Sequence, residues 1–271
     1  MGTKLKIGIG GLGAIGLTLA RAVTDGTLPD LELGAVSARD AEKAASNLSS
    51  IGATAPVVPL EDLAKSCDIV VECAPAAVFE TVAGSAIEAG RIFVPVSIGA
   101  LLNHMDLVDR AKETGARLIL PTGALIGLDA VRAAAEGEIA SVTLETRKPP
   151  RGLAGAPYLV ENDISVERLN VAKKVFEGNA REAAKGFPAN VNVAAALSLA
   201  GIGPERTTVQ IWADPEVTRN THTIRVEADS ARFTMTIENI PTEENPKTGK
   251  ITALSVIATL RRVTAPLTAG T

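Results

Sequence analysis

Apolar residues in the first half of the chain come in short runs that alternate with segments of helical periodicity. Runs of this length, bounded by glycine and polar residues, predict strands buried in a sheet. The predicted strands are 5–9, 31–36, 57–58, 67–73, 92–96 and 117–120. The predicted helices between them are 14–23, 40–48, 61–65, 78–89 and 105–114. This alternation predicts an α/β fold over residues 1–122, with a parallel, doubly wound sheet.

The pattern changes after residue 122, where alternating apolar and polar positions predict antiparallel strands. The three strands expected to pair antiparallel are 208–213, 222–228 and 231–238, and a further strand is predicted at 141–147. The predicted helices are 171–177, 191–200 and 251–262. We therefore expect a second, α+β domain over 123–249 with a three-stranded antiparallel core. The C-terminal segment 250–271 is expected to pack back on the first domain.

Composition removes several classes of function. The 271 residues are 46% hydrophobic, which excludes disorder as the main state, and the net charge of −4 disfavours a nucleic-acid binder. Two cysteines, Cys67 and Cys73, and two histidines are too few for a zinc site or a disulfide framework. Free thiols and the lack of a long apolar stretch predict a cytoplasmic protein without a membrane span or a bound metal.

A glycine motif follows the first predicted strand and opens the first helix. Its sequence is Gly11-Leu12-Gly13-Ala14-Ile15-Gly16. In a dinucleotide-binding Rossmann domain, Gly11 would form the tight turn, Gly13 would admit the pyrophosphate and Gly16 would let helix and strand pack closely. The helix N-terminus, including Ala14 and Ile15, would hold the phosphates. Packing alone is the alternative role of these glycines.

The ends of the later strands complete the predicted NAD or NADP site. Ser37 stands at the end of the second strand, where an acidic residue would select NAD, and Arg39 could pair with a 2′-phosphate or remain a solvated charge. We therefore predict that NADP is accepted, alongside NAD. The nicotinamide side is expected to be lined by Cys73, Ala74, Pro75, Ser97 and Ala124.

Candidates for chemistry in the second domain are few. His222 begins a predicted strand and titrates near neutral pH when unperturbed, although it could equally be a structural histidine. Asn190 and Asn192 lie at a helix start, where Asn190 could be an N-cap. Four loop cations, each of which could simply be solvated, are Lys148, Arg151, Arg219 and Lys247.

Several segments of the sequence, taken together, resemble the L-aspartate dehydrogenase family along nearly the whole chain. Those in the first half are Gly11-Leu12-Gly13-Ala14-Ile15-Gly16, Ser97-Ile98-Gly99-Ala100-Leu101, Thr122-Gly123-Ala124 and Gly127-Leu128-Asp129-Ala130. Those in the second half are Thr146-Arg147-Lys148-Pro149-Pro150, Phe187-Pro188-Ala189-Asn190-Val191-Asn192-Val193-Ala194, Asn220-Thr221-His222 and Glu244-Asn245-Pro246-Lys247-Thr248.

The resemblance implies a homodimer in which a Rossmann domain is joined to a catalytic and dimerisation domain. The implied reaction is the reversible, NAD(P)-dependent deamination of L-aspartate to oxaloacetate and ammonia through iminosuccinate, with a link to NAD biosynthesis. His222 matches the family's catalytic histidine and Ala124 a cofactor contact. The other cofactor contact falls on either Asn190 or Asn192.

We expect His222 to act as a general base with an ordinary pKa of about 6.5. The two substrate carboxylates need cationic or N–H partners, and we expect Lys148 and Lys247 to provide them, with Asn192 and Thr248 nearby. One alternative is a reductase or dehydrogenase of the homoserine dehydrogenase or dihydrodipicolinate reductase type, acting on another small acid. A dinucleotide-binding redox sensor and an assembly subunit are the others.

Overall fold

The computed structural model describes residues 3–188, 191–242 and 249–270. Two compact units share the chain. Unit 1 runs to Pro121 and includes Thr252–Thr268, and unit 2 is Thr122–Ile251 with the last residues from Ala269.

Unit 1 contains a five-stranded parallel sheet in the order β2-β1-β3-β4-β5. Its strands are β1 (Leu5–Gly10), β2 (Leu31–Ser37), β3 (Ile69–Glu72), β4 (Ile92–Pro95) and β5 (Arg117–Leu118). Its helices up to residue 121 are α1 (Ala14–Thr24), α2 (Ala41–Ser50), α3 (Leu63–Ser66), α4 (Phe79–Glu88), α5 (Ile98–Leu101) and α6 (Asp106–Thr114). The expected Rossmann sheet is therefore confirmed.

Local sequence explains where several of these elements begin and end. The Asp40 carboxylate accepts a hydrogen bond from the Lys43 amide at 2.9 Å and so caps α2. Gly115 ends α6 in the left-handed conformation, at a φ of 76°. The core is mainly aliphatic, with Phe79 and Phe93 fully buried in it, and strands β1 and β3 are buried on both faces, as a covered parallel sheet requires.

Two strand predictions in this unit are wrong. Val57 forms only an isolated bridge with Val36, so 57–58 is not a strand. The segment expected at 117–120 is reduced to the two residues of β5, which pair with β4 at the sheet edge. Short runs at an edge have a single neighbouring strand, which limits how far pairing extends.

Unit 2 contains a five-stranded mixed sheet in the order β10-β9-β6-β8-β7. Its strands are β6 (Ile139–Lys148), β7 (Lys173–Asn179), β8 (Thr207–Ala213), β9 (Thr221–Ala228) and β10 (Arg232–Glu238). Its helices are α7 (Leu128–Ala134), α8 (Pro157–Glu161), α9 (Ala180–Gly186) and α10 (Val191–Ala200). The last helix of the chain, α11 (Lys250–Thr264), belongs to unit 1 from Thr252 onward.

The predicted helix 171–177 is instead strand β7, and the predicted three-stranded core has five strands. The register shifts between Lys174 and Phe176, so Val175 and Phe176 are both buried. A bulge of this kind breaks the alternation by which a strand is recognised in sequence. The longest strand, β6, joins the sheet by pairing antiparallel with β9 and parallel with β8.

None of the helices in the described ranges combines the length and the apolar character needed to cross a bilayer.

Candidate active site

The glycine turn of unit 1 has the geometry that its sequence predicts. Gly11 has a φ of 101°, and a Cβ at Gly16 would lie 1.9 Å from the Gly11 carbonyl oxygen. Gly11 must therefore be free to adopt the left-handed region, and Gly16 must lack a side chain for α1 to start here. A Cβ at Gly13, by contrast, would meet no described atom within 4 Å. Gly13 thus borders open space at the N-terminus of α1.

This turn is suited to an anionic group. Gly13 is the N-cap of α1 and provides no side-chain cap, and the first turn of the helix, which includes Ala14 and Ile15, has no acidic residue. Unpaired N–H groups and the helix dipole therefore face the open space at the start of an eleven-residue helix. The residues present fit the pyrophosphate of a dinucleotide.

Neighbouring strand ends adjoin the turn. The Gly11 amide donates to the Ser37 carbonyl at 2.7 Å, and the Cys73 amide donates to the Gly10 carbonyl at 2.7 Å. Ser37 is buried, and Arg39, two residues further along the chain, is exposed. The backbone of Cys73 and Ala74 lies so close that a Cβ at Gly11 would come within 3.0 Å of both. The predicted cofactor residues of β1, β2 and β3 are thus brought together.

Glu72, at the end of β3, is a site residue that the sequence reasoning missed. Its side chain is 0% exposed, and its carboxylate accepts from the Ser97 amide at 2.9 Å and from the Ser97 hydroxyl at 3.1 Å. Burial raises the pKa of Glu72, while the bonds from Ser97 oppose that rise. The Ser97 hydroxyl also lies 3.3 Å from the Ala74 carbonyl. A charged residue in an apolar strand was the available signal, because such a residue is rarely buried without a specific partner.

The other residues at this edge are less constrained. Cys73 and Ala74 are half-buried, and Pro75 is exposed. Burial, together with the nearby Glu72 carboxylate, raises the pKa of the Cys73 thiol well above its usual value. The thiol therefore stays protonated at neutral pH and is not set up as a nucleophile.

In unit 2, His222 is held by its partner across the sheet. Thr146 and His222 are paired residues of β6 and β9, and Thr146 Oγ1 and His222 Nδ1 share a hydrogen bond of 2.9 Å. Strand alternation turns both side chains to the buried face, where His222 is 4% exposed. The ring is thereby fixed through Nδ1, and Nε2 is the ring nitrogen that Thr146 does not contact.

The electrostatics of His222 differ from expectation. Burial, and to a lesser extent the nearby charge of Lys148, lower the pKa of His222 from 6.5 to about 3. The expected ordinary pKa is therefore wrong for this state of the protein, in which the imidazole is neutral at pH 7. The cause is desolvation, because an apolar environment disfavours the charged form of the ring.

Lys148 is the last residue of β6 and lies on the same buried face as Thr146. It is 8% exposed, and burial lowers its pKa from 10.5 to about 8. Its carbonyl accepts from the Asp214 amide at 2.8 Å, which fixes the strand end. The structure thus gathers a buried lysine and a buried histidine at one end of the unit 2 sheet.

The remaining predicted residues are placed less decisively. The Ala124 carbonyl accepts from Asn239 Nδ2 at 3.0 Å, and Asn192 is exposed in the first turn of α10. Asn190, Lys247 and Thr248 lie outside the described residues.

An open cavity of about 180 Å³ lies in unit 2 at the same end of the sheet. It is lined by Pro149, which follows Lys148, and by Asn220, which precedes His222 by two residues. Within the described ranges, His, Cys, Asp and Glu side chains do not gather in threes as metal ligands would.

Comparison with known proteins agrees with both units. Residues 11–121 match the family model of the homoserine dehydrogenase NAD-binding domain, and residues 129–263 match that of the aspartate dehydrogenase C-terminal domain. A glycine turn on a parallel sheet, followed by a second unit with a buried polar end, places the protein in the class of NAD-binding dehydrogenases. The particular family follows from its relatives.

L-aspartate dehydrogenase of Bradyrhizobium diazoefficiens is 56% identical over 269 residues, which cover 99% of this chain and 95% of the relative. That of Methanosarcina mazei is 44% identical and covers 98% of this chain and all of the relative. The chain belongs to the L-aspartate dehydrogenase family.

Comparison with solved structures agrees with this family assignment. The crystal structure of aspartate dehydrogenase from Thermotoga maritima has a TM-score of 0.76 at 26% identity, covering 98% of this chain and 99% of that one. The scyllo-inositol dehydrogenase of Lactobacillus casei, solved with NAD(H), has a TM-score of 0.52 at 15% identity and covers 96% and 87% of the two chains. This second similarity is one of fold.

Proposed function

We propose that this protein is an NAD(P)-dependent L-aspartate dehydrogenase. L-aspartate would lose a hydride from Cα and a proton from nitrogen to give iminosuccinate, and water would then convert the imine to oxaloacetate and ammonia. The observation that carries the proposal is the buried pair of His222 and Lys148 in a chain whose other unit has an open glycine turn. The relatives' name favours this reaction over a homoserine dehydrogenase or dihydrodipicolinate reductase activity.

His222 is the proposed general base. The amine of aspartate must be neutral before Cα can release a hydride, so a group at the site has to take the ammonium proton. In the tautomer whose Nδ1–H donates to Thr146 Oγ1, the lone pair of Nε2 is available to accept that proton. Once it has released that proton to solvent, the same nitrogen could take a proton from the water that attacks the imine.

The substrate's own charge would tune this base. An imidazole with a pKa of about 3 is a weak base at neutral pH. Two carboxylates entering the same buried region favour the charged forms of both His222 and Lys148, which raises both pKa values. Lys148 is the proposed partner of one carboxylate.

The dinucleotide supplies the hydride acceptor when it is bound. Gly11, Gly13 and the start of α1 would hold its pyrophosphate, and Ser97 would line the nicotinamide side. Arg39 is the proposed partner of a 2′-phosphate, because it is exposed just after β2. Roles for Ala124 and Asn192, and for Asn190, Lys247 and Thr248 outside the described residues, stay predictions.

The homodimer implied by the resemblance is part of the proposal. The face of the unit 2 sheet opposite Thr146 and Lys148 carries Trp212, with Arg147 4.7 Å from its ring centre. The indole Nε1 is buried and has no hydrogen-bond partner in the described chain. A second copy would cover this face, and sedimentation velocity would detect the dimer. A cytoplasmic location likewise stays a prediction.

The decisive assay is NADH and NADPH oxidation with oxaloacetate plus ammonia, compared with pyruvate plus ammonia. We expect turnover that depends on ammonia and strongly prefers oxaloacetate. A redox sensor would bind cofactor without turning over any acid, and an assembly subunit would bind none. Either result, or a preference for a different acid, would overturn the proposal.

A further inference from the structure

The open cavity of unit 2 continues the polar end of the sheet beyond the buried histidine and lysine. Its wall includes Arg151, Arg219 and Asn239. Asn239 follows β10, and its amide donates to the Asn220 carbonyl at 2.9 Å, so the cavity lies where β9 and β10 meet. All of these residues belong to unit 2.

Asn239 is held rigidly in the wall of the cavity. Its residue is 5% exposed, and its Nδ2 donates to the Ala124 carbonyl at 3.0 Å. That contact determines the orientation of the amide, because a carbonyl can only accept. Asn239 Oδ1 is therefore directed elsewhere, and it is buried without a hydrogen-bond partner in the described chain. A Cβ at Gly249 would lie 3.0 Å from this oxygen, so the chain at Gly249 passes close to it and helps to hold Asn239 in place.

Arg151 and Arg219 give the cavity a positive charge. No carboxylate is among its described lining residues, and neither arginine has a hydrogen bond or ion pair within the described ranges. Other arginines of this unit pair with acidic side chains, as Arg147 does with Asp214 at 2.9 Å. A guanidinium binds a carboxylate through two parallel N–H bonds, so this wall suits an acid group.

We propose that the cavity binds the second carboxylate of an amino diacid through Arg151 and Arg219. This assignment rests on the proposed function and makes the two arginines its specificity determinants. Lys148 would hold one carboxylate and the arginines the other. A monocarboxylic acid could use only the first of these sites.

The test is the ratio of kcat/KM for oxaloacetate to kcat/KM for pyruvate, with ammonia and NADH. Removing one charge-assisted contact should lower kcat/KM for oxaloacetate about 10–100-fold. In the double variant Arg151→Ala/Arg219→Ala we expect the ratio to fall at least about 100-fold, with pyruvate turnover changed by less than about threefold. Arg232→Ala, which removes an exposed arginine paired with Glu227, is the matched control and should keep the wild-type ratio.

A binding measurement separates this inference from the proposed reaction. By calorimetry, wild type should bind succinate more tightly than propionate, and the double variant should lose that difference. Loss of the difference in a protein that never turns over oxaloacetate would uphold the cavity and reject the reaction. An active double variant that keeps the wild-type substrate ratio, or a wild type that binds succinate no better than propionate, would overturn the cavity assignment.

Discussion

The two sheets end in chemically opposite ways. The turn at the end of β1 in unit 1 depends on residues that lack a side chain. Gly11 adopts a backbone conformation that would strain other residues, and Gly16 leaves room for the Gly11 carbonyl oxygen. At the end of β6 in unit 2 the structure uses large polar side chains, Lys148 and His222, which are costly to bury. Backbone dipoles suffice to hold a phosphate, whereas moving a proton requires a titratable side chain.

The largest expected effect on stability tests the first half of this contrast. In Gly16→Ala the new methyl would meet the Gly11 carbonyl, so we expect a loss of about 3 kcal/mol in the free energy of unfolding. Gly13→Ala is the matched control, since its methyl enters open space. It should stay within about 1 kcal/mol of wild type in urea denaturation. Its affinity for NADH should still fall, by about tenfold or more, because the methyl obstructs the pyrophosphate.

If Gly13→Ala binds NADH as wild type does, the open space beside α1 is not the cofactor site.

His222→Asn tests the second half. Removing a general base lowers kcat by about 10²–10⁴-fold. NADH affinity, measured by fluorescence titration, should be unchanged, because His222 lies in unit 2 and the proposed cofactor cradle in unit 1. Near-normal turnover in this variant would remove the assigned role. For wild type, the acidic limb of kcat should lie at higher pH than that of kcat/KM, because bound substrate raises the pKa of His222.

The buried imidazole should also make folding stability depend on pH. The folded pKa of His222 is lowered to about 3, so below pH 6.5 the unfolded chain binds a proton that the folded protein does not. The free energy of unfolding should therefore fall as the pH drops from 6.5 towards 3. Between pH 7 and pH 5 the loss from this residue is about 2 kcal/mol.

Urea denaturation of wild type and His222→Asn at both pH values measures this contribution as the difference between their pH dependences. Equal dependences in the two proteins would show that His222 does not carry a lowered pKa.

The smallest expected effect concerns Glu72, the acidic residue buried at the end of the apolar strand β3. Glu72→Gln would turn an N–H group toward Ser97 or lose one of the two bonds that the carboxylate accepts. We expect NADH affinity to fall about tenfold, with a smaller change in kcat, because Ser97 loses its position. Ser97→Ala, which keeps the amide contact and loses only the hydroxyl, should have a weaker effect. An unchanged affinity in Glu72→Gln would make Glu72 a purely structural residue.

Sequence patterns that depend only on neighbouring residues predicted the elements of unit 1 better than those of unit 2. The glycine turn, the Asp40 cap and the longer buried strands depend on neighbours in sequence, so β1, α1, β2 and α2 fall close to their predicted bounds. Strand β7 was missed because its bulge places Val175 and Phe176 on the buried side together. A bulge depends on the partner strand and leaves no reliable pattern in sequence.

The sequence by itself determined the glycine turn after β1, because φ preferences and close packing at Gly11 and Gly16 act over a few residues. It also marked His222 and Lys148 as candidates. Only the tertiary structure decided their chemistry. The pairing of β6 with β9 puts Thr146 against His222 and buries Lys148 on the same face. A pKa depends on the water and charges around a group, and those are set by strands more than seventy residues apart in the chain.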